Sequence, residues 1–110
     1  MNWIPLNSKS QLDEIANNAG QACIIFKHST RCSVSSMAKR SIEFGADSIP
    51  SDIPVYYLDL ISYRDISSAV SERWQVIHES PQILLVQGPA CLYHASHGAI
   101  DMDELAKHLP

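Results

Sequence analysis

Apolar positions along the chain alternate between helical spacing and short unbroken runs. Leu12, Ile15, Ala16 and Ala19 fall at helical spacing behind Ser8-Lys9-Ser10-Gln11, which has capping-box form, and Gly20 ends the run, so a first helix is predicted. The run Ala22-Cys23-Ile24-Ile25-Phe26 is short, partly β-branched and breaks abruptly into polar residues, which predicts a buried strand over Gln21 to Lys27. Val34, Met37, Ala38 and Ile42 then predict an amphipathic helix that ends near Gly45. Beyond a loop punctuated by Pro50 and Pro54, Val55 to Asp59 reads as a second strand, and the helix between the two strands favours a parallel βαβ unit. Ser62-Tyr63-Arg64-Asp65 has capping-box form and leads into a helix whose apolar face is Ile66, Ala69, Val70 and Trp74. A loop from Gln75 to Ser80 follows. Pro81 opens the strand Gln82 to Val86, and Gln87-Gly88-Pro89 turns the chain into another, Ala90 to Ala95. A last helix starts at Asp101 as N-cap, with Glu104 reaching back and Ile100 and Leu105 as a hydrophobic staple.

At 110 residues the chain is expected to form one domain over 1–110, large enough to bury a single core. A net charge of −4 with no basic run gives no electrostatic footprint for nucleic acid. Met1-Asn2-Trp3-Ile4-Pro5 lacks the basic and apolar segments of a signal peptide, and no run approaches the roughly 20 apolar residues of a membrane span, so a cytoplasmic setting is expected. Three cysteines in such a setting argue for thiols that are kept reduced or used in catalysis, rather than for a disulfide framework.

The candidate chemistry sits at Lys27-His28-Ser29-Thr30-Arg31-Cys32-Ser33-Val34-Ser35, where a strand ends and a helix begins. A thiol at a helix start faces free backbone N–H groups and the positive end of the helix dipole, and both favour the nucleophilic thiolate. Arg31 adds a fixed cation, and Thr30 and Ser35 are grouped with it as residues that tune the thiolate. Ser35 either donates to the sulfur or satisfies the first helical turn. Because Ser35 stands where a dithiol site carries its second cysteine, Cys32 must be released by a thiol from outside. Cys23 lies nine residues before Cys32, mostly along an extended strand, too far for a disulfide, and is expected to pack in the core, as is Cys91. The spacing of His28, His78, His94 and His97 does not suggest a metal site, and no bound cofactor is expected.

The order α-β-α-β-α-β-β-α, with a cysteine at the start of the helix after the first core strand and a proline opening the hairpin, is that of a thioredoxin-like α/β fold, a central four-stranded mixed sheet flanked by helices. More specifically, the sequence resembles the monothiol bacilliredoxin-like proteins of the bacillithiol system. The segments that carry the resemblance are Lys27 to Ser35, His78-Glu79-Ser80-Pro81-Gln82 and His94-Ala95-Ser96-His97. Arg31, Ser33 and Val34 depart from the family's Thr, Pro and Ile. The resemblance implies a cis Ser80–Pro81 bond, a Ser80 backbone that receives an extended thiol or peptide segment, and contacts to the small thiol from Ser33, Pro81 and His97. Lys27 and His28 either meet a carboxylate of that thiol or finish the strand.

The expected activity is therefore monothiol thiol-disulfide exchange through Cys32, with protein mixed disulfides and a small thiol, bacillithiol or similar, as partners. The alternative is a non-catalytic thioredoxin-fold binding or redox-sensing module. An iron–sulfur carrier would call for the Cys-Gly-Phe-Ser motif, which the chain lacks.

Overall fold

The computed structural model describes residues 1–110. Its strands are β1 (Trp3–Pro5), β2 (Ala22–His28), β3 (Val55–Asp59), β4 (Gln82–Gln87) and β5 (Ala90–Ser96). Its α-helices are α1 (Lys9–Ala16), α2 (Ser33–Phe44), α3 (Arg64–Trp74) and α4 (Met102–Ala106). The strands lie in the order β1-β3-β2-β4-β5. β3 is parallel to β1 and β2, whereas β4 runs antiparallel to β2 and β5.

Alternation along β2 divides the core into two layers, since successive side chains point to opposite faces. Cys23 and Ile25 join Leu84 and Val86 under α1 and α3, where Leu12, Ile15, Ile66, Val70 and Trp74 pack. Ile24 and Phe26 join Ile83 and Leu85 under α2 and α4, against Ala38, Ile42, Met102 and Leu105. Every residue of β2 is buried, which is why its sequence reads as a continuous apolar run rather than an alternating one.

The sheet has five strands, not the four expected. Trp3–Pro5 adds an edge strand through pairs such as Trp3 with Val55, and three residues are too few to carry a period. Trp3 is held by its ring contacts with Phe26 and Tyr57, and its Nε1–H donates to Glu43 Oε2 at 3.0 Å.

The capping box at Ser8 and Gln11 forms as the sequence predicts. The one at Ser62 does not: Tyr63 is the N-cap of α3 without a side-chain bond, and Ser62 instead gives its N–H and hydroxyl to the Asp59 carboxylate. Asp101 caps α4 by accepting from the N–H groups of Asp103 and Glu104, while Glu104 turns to Lys107 rather than back to the cap. At the hairpin, Gly88 adopts φ +55° and packs so close to Ala19 that a Cβ would sit 2.9 Å from its Cα. Only glycine fits both constraints.

Candidate functional site

The sheet register gathers the candidate residues. β2 and β4 are antiparallel and Lys27 pairs with Gln82, so the loop after β2 and the segment before β4 emerge at one end of the sheet. Gln82 also pairs with Ser96, which brings the end of β5 to the same place. The His97–Ala99 turn packs against α2. Ser29–Cys32, His78–Pro81 and His97 thus share one end. A cleft of about 490 Å³ lies at the other, between Met1–Ile4 and the loop that leads into β3.

Cys32 is the N-cap of α2, partly exposed, with φ −111° and ψ 121°. Its N–H donates to the Ser29 carbonyl at 3.1 Å, closing a turn that holds Thr30 and Arg31 out in solvent, and its carbonyl accepts from Ser36 N–H at 3.1 Å. Ser33, exposed, begins the helix. The 12 residues of α2 put a full helix N-terminus beside the sulfur.

Ser35 is fully buried and its hydroxyl is engaged away from the sulfur. Its Oγ accepts from Ser29 N–H at 3.0 Å and lies 2.6 Å from His28 Nδ1. A hydroxyl that accepts from a backbone amide still has one proton to give, and His28 Nδ1 takes it when the imidazole is neutral. Burial, and then the Lys39 ammonium, hold the His28 pKa below its ordinary value, which favours that neutral form. Ser35 thus braces the loop against the strand through His28, a role that neither of the two sequence expectations for its hydroxyl included.

Two expectations need correction. Lys27 and His28 do not reach out toward a small thiol: Lys27 is 0% exposed and His28 5%. They lie on opposite faces of β2, His28 toward α2 and Lys27 beneath α3, where Lys27 Nζ donates to the Ser67 carbonyl at 3.1 Å and Ser71 Oγ at 2.8 Å. The physical reason is that β2 is covered on both faces to its last residue, so polar side chains at its end are sealed in and must find internal partners. Val34 and Met37, expected on the buried face of α2, are 47% and 66% exposed. The buried stripe is Ser35, Ala38 and Ile42, because the Ser35–His28 bond turns that side of the helix to the sheet.

The Ser80–Pro81 bond is cis and Pro81 is buried. The Pro81 carbonyl accepts from His97 N–H at 3.0 Å, and His97 Nδ1 lies 3.4 Å from Glu79 Oε2, so β5 ties down the segment before β4. Ser80 Oγ and Gln82 Oε1 are buried there without a partner. His78 closes the same region by bonding through Nδ1 to Lys27 Nζ at 3.1 Å. Sequence reasoning missed the His28–Ser35 and Lys27–His78 pairs, since residues on different elements carry no shared period.

All three cysteines are free thiols. Cys23 is buried, and burial pushes its thiol up to about 12. Cys91 pairs in register with Val86, itself opposite Cys23, so both stand at the end of the sheet away from Cys32. Burial raises the Cys91 thiol as well. No helix is long and apolar enough to cross a membrane.

Among solved structures, the fold is similar to a protein provisionally assigned as an oxidoreductase with a thioredoxin fold. That match has TM-score 0.82 and 26% identity over 96% of this chain and 92% of that one. It is also similar to thioredoxin from Trypanosoma brucei brucei, at TM-score 0.75 and 14% identity over 97% and 87% of the two chains. The N21Q mutant thioredoxin from Halobacterium salinarum NRC-1 gives 0.70 and 17% over 96% and 86%. The thioredoxin-like α/β fold is thereby established, and thiol redox chemistry agrees with a partly exposed cysteine at a helix start. The family model for monothiol bacilliredoxin BrxC matches residues 4–105, and the chain belongs to the monothiol bacilliredoxin family.

Proposed function

We propose that this chain is a monothiol thiol-disulfide oxidoreductase that removes a low-molecular-weight thiol, bacillithiol or a close relative, from protein mixed disulfides. The observation that carries this reading is a partly exposed thiol at a helix N-terminus, with buried Ser35 three residues on and the other two cysteines at the far end of the sheet. In the first step the Cys32 thiolate attacks the sulfur of the small thiol. A bond from Cys32 to that sulfur forms, the old disulfide breaks, and the protein leaves as a thiolate. In the second, a free small thiolate attacks the same sulfur of the adduct, which frees Cys32 and yields the symmetric disulfide of the small thiol. Both steps are exchanges, so no electron is left on the enzyme. Thr30, Arg31 and Ser33 are exposed beside Cys32, which supports contacts from them to the small thiol, with Arg31 suited to a carboxylate. The Ser80–Pro81 segment and His97 lie at the same end of the sheet as Cys32, which supports a role in receiving an extended chain by its backbone.

Intact-mass spectrometry tests the cycle. The protein is mixed with a model protein that carries a bacillithiol mixed disulfide, alongside the Cys32→Ser variant. Transfer of the bacillithiol mass to the wild type, none to the variant, and clearance by added bacillithiol is the expected result. Absence of transfer would leave a binding or redox-sensing module as the better description.

A further inference from the structure

The exchange cycle makes no use of the buried cation on its own strand. Lys27 Nζ has three neighbours at hydrogen-bond distance, Ser71 Oγ at 2.8 Å, the Ser67 carbonyl at 3.1 Å and His78 Nδ1 at 3.1 Å. An ammonium has three N–H donors and no acceptor, so donors and acceptors match one to one, with no carboxylate among them. The match makes His78 Nδ1 an acceptor and places the ring proton on Nε2. His78 is itself exposed, so it covers Lys27 from solvent and opens the segment that runs through Glu79 and Ser80 to Pro81. The far end of that segment is fixed by His97 and by the β4 ladder, whereas at its start the side-chain bonds run from His78 to Lys27 and, at 3.4 Å, to Ser67 Oγ, with Gln82 Nε2 donating to the Ile77 carbonyl at 3.0 Å just before it.

We propose that Lys27 is a positioning residue: its hydrogen bond to His78 Nδ1 holds the His78–Pro81 segment against α3, so that the segment's backbone can receive the chain joined to Cys32. The inference rests on the exchange reading for its substrate and on the Lys27–His78 geometry for its mechanism. Lys27 lies on the face of β2 away from α2, so it acts on binding and leaves the reactivity of the sulfur alone. Acid opens the latch. Protonated His78 would point an N–H at the ammonium, and the titratable groups that face it are Lys27 from β2 and Glu79 from its own segment, α3 offering only Ser67 and Ser71. Burial and Lys27 already hold His78 below its ordinary pKa, so the latch stays closed at neutral pH and opens on acidification.

The test compares wild type with Lys27→Met, His78→Leu and His78→Asn, in which Asn Oδ1 keeps an acceptor near the place of Nδ1. Lys27→Met is also made with Ser67→Ala, so that the Ser67 hydroxyl cannot take over His78. Met replaces the ammonium at similar size, an exchange that buried charges tolerate. With a model protein carrying a bacillithiol mixed disulfide, Lys27→Met and His78→Leu raise KM about tenfold, the loss of one charge-assisted hydrogen bond, with kcat little changed. Iodoacetamide alkylates Cys32 in both at the wild-type rate. His78→Asn restores KM and, unlike wild type, holds it as the pH falls to about 5. Hydrogen exchange of the 76–80 amides rises in Lys27→Met. An unchanged KM, a His78→Asn variant as impaired as His78→Leu, or unchanged amide exchange overturns the latch. If wild type transfers no thiol, the exchange reading fails, and faster 76–80 exchange in Lys27→Met and His78→Leu, but not in His78→Asn, still upholds the latch.

Discussion

At Ser35 a single hydroxyl satisfies two groups that solvent barely reaches, the Ser29 amide and the His28 imidazole. Ser35→Ala leaves both without a partner and is expected to cost about 1–3 kcal/mol, read as a lower urea midpoint at unchanged m. Cys23, pushed up to about 12 and buried, should resist iodoacetamide in the native protein, with Cys32 modified first and Cys23 only on unfolding, as peptide mapping would show. Lys27 makes a prediction with a definite sign. Burial lowers it from 10.5 to about 8, so between those values the unfolded chain holds a proton that the folded one has lost. The burial penalty is full below pH 8 and fades as the pH rises toward 10.5, so wild type gains on the order of 3 kcal/mol relative to Lys27→Met across that range. At this scale the sequence made Cys32 legible, because a thiol that follows an apolar run and precedes a helical period can only cap the helix. It did not reveal the partners of Ser35 or Lys27, which come from a neighbouring strand, a helix and a loop that only the folded chain brings together.

Among the elements, α2 was legible in extent but not in phase. Counting apolar residues put Val34 and Met37 on the inner face, whereas a polar residue, Ser35, has the buried place because its hydroxyl has partners there. Ile42→Ala should therefore cost about 2–5 kcal/mol, and Met37→Ala should stay within about 0.5 kcal/mol, both measured by urea denaturation. β1 was missed because three residues hold no period, and the Ser62 capping box failed because Asp59, at the end of β3, binds Ser62 first. Motifs that compete with a nearby carboxylate are not decided by spacing alone. The strands β2 to β5 were legible because each is a run bounded by glycine, proline or polar residues.

The molecule as a whole separates its two ends. One end of the sheet carries Cys32, the Ser80–Pro81 segment and His97, and the other carries the hairpin turn and the two remaining thiols. Gly88→Ala, strained by φ +55° and by its contact with Ala19, should cost about 1–3 kcal/mol in stability yet leave the alkylation rate of Cys32 as in wild type. The order of elements made this architecture legible, while the division of labour between the ends needed the register. The same separation has a consequence in time. With no second sulfur within reach of Cys32, nothing inside the molecule can discharge a loaded site, so under the proposed cycle the lifetime of an adduct is set by how much free thiol the surroundings hold. The loaded fraction then rises as that reserve is drained and falls as it is replenished, and the protein keeps a running record of its supply.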